Sequence, residues 1–529
     1  MNVQNRIRSI TILLLFIFAF ACAENLPAQP PRAPKSSNLS RRIESLLRKP
    51  EARRGFWGII VAQLPGGRVL YERNSDQLFQ PASNMKLFTT AAALELLGAD
   101  FVFRTTVESD ALPGAAGRVR DLILVGRGDP NISSRDLPYQ YDSPNNRPAD
   151  AVLQELAEKV KARGVQEVTG DIVADDRYFL FEPFSHDWSV EDLQWGYGAP
   201  ITALAYNDNA LRLYVSPGER DGTPAKIRLE PIGDYYHLNN RLETSAAGTE
   251  RQVFVERLPG SMMLDVWGEI PVGTMEDYDT VAIADPPRLA GELFKHALES
   301  RGIKVGGGVK TLELTRVEAA GQVNPFAPSP GRVVLADHQS IRLSEEVKII
   351  DKVSQNLHAE MLLRTLAREK KKFGSLTVGL EILQEFAGEI GIDPGAVQFA
   401  DGSGLSREAL VTPRAIVKLL VHMDKSPQAK IYFDALPIAG VDGTLAKRFR
   451  RSRAGGKIHA KTGTINHVNT LSGYMQLPSG RKLAFSALAD NHEMSDEAAL
   501  KTLDAVALAI YDAYGGRARA PAKRKPARK

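Results

Sequence analysis

Phe79-Gln80-Pro81-Ala82-Ser83-Asn84-Met85-Lys86-Leu87-Phe88-Thr89-Thr90 is the stretch on which the reading of this chain turns. Pro81 suits the first turn of a helix, and the run that follows as far as Gly98 is apolar all round, the pattern of a helix buried in a core. Ser83 and Lys86 lie three apart, so they share a face and the amine reaches the hydroxyl. A serine is a poor nucleophile until a base takes its proton, and a lysine is such a base only when neutral. Burial and a second nearby cation both depress a lysine pKa, which makes this pair a candidate acylation centre. The pair alone decides little, because SxxK arises about once or twice by chance in a chain of this length. It recurs at Ser479-Gly480-Arg481-Lys482, in a turn that cannot hold both side chains on one buried face.

Two more motifs give the pair its context. Ser354-Gln355-Asn356 interrupts the helical run 344–370 and offers a hydroxyl and an amide. Lys461-Thr462-Gly463 is scarcer, with roughly 0.1 chance occurrences per chain. It lies in the strand-like run 457–465, where Gly463 removes a side chain and lets a substrate backbone pair along an edge. SxxK on a buried helix, then SxN between helices, then KTG on a late strand is the ordered triple of class A β-lactamases and penicillin-binding proteins, with Gln355 where that triple has Asp.

The likeness extends past the motifs. Together with Gly128-Asp129-Pro130, Ala359-Glu360-Met361-Leu362-Leu363-Arg364, Asp401-Gly402-Ser403-Gly404-Leu405-Ser406-Arg407 and Ala460-Lys461-Thr462-Gly463-Thr464, the chain resembles the class C low-molecular-mass penicillin-binding proteins from about residue 40 to 513. These are secreted D-alanyl-D-alanine carboxypeptidase/endopeptidases. The resemblance implies a serine DD-peptidase/β-lactamase-like transpeptidase fold of α/β (α+β) type, with a large β-rich insertion between the SxxK helix and SxN. It implies that Ser83 forms an acyl-enzyme with the penultimate D-alanine of peptidoglycan stem peptides, and that β-lactams acylate the same serine. Lys86 would take the serine proton, Ser354 would help pass it to the leaving amine, and Asn356 would hold the substrate amide. Lys461, Thr462 and Thr464 would meet the terminal carboxylate, beside Gly463, and the N–H groups of Ser83 and Thr464 would form the oxyanion hole. An aspartate of the insertion would contact the amino end of a diaminopimelic side chain. Gly170-Asp171-Ile172-Val173-Ala174-Asp175 points to Asp175, with Asp176 beside it. No cofactor or metal is expected. A β-lactamase of the same chemistry and a catalytically silent wall-binding adaptor are the alternatives.

The rest of the chain agrees with an exported enzyme. Of its 529 residues 43% are hydrophobic and 25% charged, ordinary globular values. Residues 517–529 carry seven bases and no acid, and without them the net charge of +4 becomes −3, so the body is no nucleic-acid binder. Arg6 and Arg8, the apolar run 10–21 and Ala21-Cys22-Ala23 have the form of a secretory signal, with no further span expected after cleavage. Cleavage after Ala23 yields a soluble periplasmic chain. Processing before Cys22 would leave a lipoprotein, for which Ala19 and Phe20 are a poor signal. The expected organisation is signal peptide 1–23, linker 24–40, a catalytic domain from 41–99 and 286–516, an inserted β-rich region 100–285 of two subdomains, and a basic disordered tail 517–529. His459 and His467 flank KTG, but without a GxSxG elbow or a signalled aspartate they read as structural. Residues 401–407 read as a loop that either only connects helices or also borders the site.

Overall fold

The computed structural model describes residues 37–143, 146–320 and 331–515. The expected signal sequence and basic tail lie outside them, as do linker residues 24–36. The linker is shorter than expected, because Ser37–Leu47 is already a helix. Leu39, Ile43 and Leu47 recur every fourth residue and are buried against the main sheet, which fixes the helix there.

That sheet is antiparallel and five-stranded, in the order Ile458–Ile465, Val468–Gln476, Lys482–Asp490, Phe56–Gln63, Arg68–Arg73. The N-terminal hairpin thus docks on the last strand of the chain. Helices Ser37–Leu47 and Asp496–Gly515 cover one face, with Leu503, Val506 and Ile510 in the shared core. Lys86–Leu96, Asn356–Lys371, Leu376–Glu389 and Pro413–Met423 build the core on the other face. Lys86–Leu96 is buried on almost every side, as its uniform apolarity predicts.

Between these halves lies a second body. Val309–Leu312, Ile172–Asp175, Leu122–Val125, Val102–Ser109 and Val333–Arg342 form a mixed sheet, packed by helices Ala151–Ala162 and Pro286–Glu299. Three three-stranded sheets complete it among the described residues: Asp277–Ala282, Ala210–Ser216 and Lys226–Glu230; His237–Ser245, Met263–Pro271 and Gln252–Glu256; and the short Lys304–Val305, Glu167–Val168 and Arg118–Val119. One buried cluster runs through all of this, from Val107 to Ala336, and includes Leu289, Phe294 and Leu298. The expected boundary at 285 therefore cuts through a continuous core. The helix Pro286–Glu299 and the strands up to Arg342 pack with the inserted body, and the core beside the main sheet resumes at Leu343. Val333–Arg342 escapes sequence reading because two register shifts break its period-two alternation.

Candidate active site

The three motifs converge where the helix Lys86–Leu96 meets the free edge of the five-stranded sheet. Ser83 sits in a one-turn 3-10 helix, Ala82–Met85, directly before that helix. Ala82, the residue ahead of Ser83, holds φ at 45°, a strained conformation for a residue with a Cβ. Its carbonyl packs against Gly404, where a Cβ would come within 1.8 Å.

Lys86 is fully buried. Its Nζ lies 2.9 Å from Ser83 Oγ, 2.7 Å from Asn356 Oδ1 and 2.7 Å from Ser403 O. The Asn356 amide is oriented by donating its Nδ2 to Tyr197 O at 2.8 Å. Asn356 Oδ1 and the Ser403 carbonyl only accept, so they take two N–H bonds of the lysine. In the neutral amine the remaining lone pair points at Ser83. Burial brings Lys86 down to about 8, against the pull of Asp401, Glu360 and Asp351.

Ser354 occupies the left-handed region at φ 67°, directly after a π turn, Ile349–Val353, and before the helix Asn356–Lys371. That break turns its hydroxyl toward Lys461, whose Nζ donates to Ser354 Oγ at 2.8 Å and to Thr462 O at 3.0 Å. Lys461 is also fully buried, and desolvation, with the neighbouring Lys86, holds it well below the usual lysine value. Ile458–Ile465 is an edge strand, so its outer backbone faces the site. It crosses the Ser83 turn at Gly463, where a Cβ would stand 2.9 Å from Ser83 N. Thr462 Oγ1 donates to Thr444 Oγ1, and exposed Thr464 accepts from Asn469 Nδ2.

Two further features belong to the site, and the first carries no sequence signal of its own. Asp351 is fully buried; desolvation raises it to about 7, against the charge of Lys461, a hydrogen bond from Thr90 and the charges of Lys86 and Lys352. The loop 401–407 is part of the site. Glu360, ion-paired with Arg364, accepts from Gly402 N and Ser403 N, while Asp401 accepts from Gly404 N and Ser406 N. This clamp presents the Ser403 carbonyl to Lys86.

A cleft of about 620 Å³ opens onto Ser83. Thr464 and Ile465 form one wall and Leu405 and Arg407 another, while Glu191, Asp192, Trp195 and Tyr197 reach in from the inserted body. Asp175 is not among its walls. Its buried carboxylate is taken by Arg177, at 2.9 and 2.7 Å, and by Arg332 at 3.3 Å. Asp176 is equally buried and accepts from Leu204 N. The acidic groups that face the cleft are Glu191 and Asp192. His459 stacks on Phe433 with centroids 4.0 Å apart, and burial lowers it to about 4.

A buried Ser–Lys pair under an edge strand, with an SxN turn opposite, defines a serine acyl-transfer enzyme of the mixed α/β build shared by penicillin-binding proteins and β-lactamases. Residues 39–510 match the model of the D-Ala-D-Ala carboxypeptidase 3 (S13) family, and the chain belongs to that family. It is 38% identical over 487 residues to a D-alanyl-D-alanine carboxypeptidase of Actinomadura sp. (strain R39), covering 90% of this chain and 85% of that one. To the D-alanyl-D-alanine carboxypeptidase DacB of Haemophilus influenzae it is 26% identical over 454 residues, 83% of this chain and 86% of the other. The fold matches the crystal structure of penicillin binding protein 4 (dacB) from Haemophilus influenzae with a TM-score of 0.75, at 24% identity, over 90% of this chain and 99% of that one.

Proposed function

We propose that the protein is a serine-type D-Ala-D-Ala carboxypeptidase/endopeptidase that trims or cleaves peptidoglycan stem peptides, and that β-lactams acylate it at Ser83. The observation that carries this reading is the Lys86 amine, with two of its directions taken by obligate acceptors and the third aimed at Ser83 Oγ. Neutral Lys86 removes the serine proton as Oγ attacks the carbonyl of the penultimate D-alanine. The oxyanion develops between the N–H groups of Ser83 and Thr464, each worth roughly 3–4 kcal/mol in comparable sites. The C–N bond breaks, and the leaving amine takes the proton from Lys86 by way of Ser354, which Lys461 holds in place. Lys461, Thr462 and Thr464 receive the terminal carboxylate; Asn356 holds the substrate amide. Water then hydrolyses the ester. Glu191 and Asp192, in place of Asp175, meet the amino end of the diamino-acid side chain. Residues 37–99 and 343–515 form the catalytic unit, and 100–342 the inserted one.

The segment 1–23 is a secretory signal that delivers the enzyme to the periplasm, and N-terminal sequencing of exported protein checks the cleavage site. Among the described residues no helix is long and apolar enough to cross a membrane.

Intact-protein mass spectrometry with benzylpenicillin tests the mechanism. The expected result is one persistent penicilloyl adduct, absent from Ser83→Ala and formed faster as pH rises through about 8, where Lys86 loses its proton. An unmodified protein with rapidly hydrolysed drug would make it a β-lactamase, and intact drug without adduct a silent adaptor.

A further inference from the structure

A second cavity, of about 360 Å³, adjoins the first across the hydrogen bond from Asn356 to Tyr197 O, and both residues line both cavities. Ser354 and Gln355 form its catalytic side, and Arg135, Asp208, Arg212 and Tyr278 its inserted side. Its charges do not cancel. Asp208 is committed, accepting from Arg135, from His358 and from Gln355 Nε2 at 2.9 Å. His358 in turn is bound to Glu346 at 2.7 Å and is held up at about 9: burial pulls it down, but Glu346 and Asp208 outweigh that. Arg212 is different. Half-buried on the strand Ala210–Ser216, it lies over the Tyr278 ring at 5.6 Å, and no carboxylate among the described residues pairs with it. A half-buried guanidinium beside an open cavity favours a planar anion, which it can bind through two parallel N–H bonds.

We propose that this cavity is the subsite for the leaving strand of a cross-linked substrate, and that Arg212 receives a carboxylate of that second stem peptide. The inference rests on the DD-peptidase reading. There, Lys461 and Ser354 mark the side on which the leaving group departs, and the cavity continues past Ser354 on that side. In carboxypeptidase action the amine released when the C–N bond breaks belongs to free D-alanine, which ends at the Lys461–Thr462 carboxylate site. In endopeptidase action it is a side-chain amine of a whole second peptide. That peptide needs room and carries carboxylates of its own.

Arg212→Gln in the full-length protein tests this against three substrates: benzylpenicillin, a stem pentapeptide ending in D-Ala-D-Ala, and a cross-linked peptide dimer. The expected result is a fall of about tenfold in kcat/KM on the dimer, the loss of one charge-assisted hydrogen bond, with penicillin acylation and D-alanine release unchanged. Arg212→Lys should recover part of the dimer activity. An equal loss on all three substrates, or no loss on the dimer, overturns the subsite. So does a wild-type enzyme that releases D-alanine but cleaves no dimer, an outcome that leaves the carboxypeptidase intact. Absence of any acylation at Ser83 overturns the underlying function as well.

Discussion

Gln355 departs from the aspartate of the S-D-N form, and the structure gives a reason. Its amide donates to Asp208 Oδ2 at 2.9 Å, so a carboxylate here would face another carboxylate. Gln355→Glu, close in shape, should slow penicillin acylation by about tenfold or more, a penalty of the size of one buried like-charge contact. Combining it with Asp208→Asn should restore much of the rate. Stopped-flow acylation of the two single variants and the double variant measures the coupling, and strictly additive losses would show that the contact does not position Ser354. From sequence, position 355 looks like the least chemical of the motif. Ser83, Lys86, Ser354, Asn356 and Lys461 are legible because each belongs to a short pattern of ordered residue types. Asp351, Glu191, Asp192 and Asp208 are not, because each gains its place from packing between segments far apart in the chain.

At the level of elements, the edge strand and the Ser83 turn are fitted to each other through glycine. At Gly463 a Cβ would lie 2.3 Å from Thr470 Oγ1 as well as against Ser83 N, so a side chain must push the strand off the turn. Gly463→Ala should therefore cost about 10²–10³ in acylation rate, the range seen when an oxyanion donor is displaced, while the melting temperature moves little. Acylation kinetics alongside a circular dichroism melt separates the two, and an unchanged rate would mean the strand does not gate the oxyanion site. The buried helix, the hairpin and the three closing strands are readable because their apolar spacing is regular. The π turn Ile349–Val353 is hidden inside a good helical pattern, and only the left-handed Ser354 reveals where the ladder breaks.

Across the whole molecule, the inserted body grips the SxN turn at two points, Asp208 on Gln355 and the Tyr197 carbonyl on Asn356. Its core should then be needed for catalysis in the catalytic body. Phe294, fully buried there, is a suitable lever: Phe294→Ala should cost about 3–5 kcal/mol. Calorimetry paired with penicillin labelling across the melt should show labelling lost as the inserted body unfolds, and labelling that outlasts that transition would show the grip to be dispensable. The insertion was visible from the sequence as a change of texture, but its end was not, since Pro286–Glu299 has a helical pattern that suits either body. The main sheet, meanwhile, joins strand Phe56–Gln63 to strand Lys482–Asp490, and Asn84 beside Ser83 bonds Ser472, 388 positions later. A ribosome releases Ser83 long before those partners exist, whereas the inserted body has all its strands in hand by Arg342. On the proposed mechanism the serine stays chemically ordinary until strands Val468–Gln476 and Lys482–Asp490 have been made, and a polypeptide cut short before them has no reactive centre to misuse.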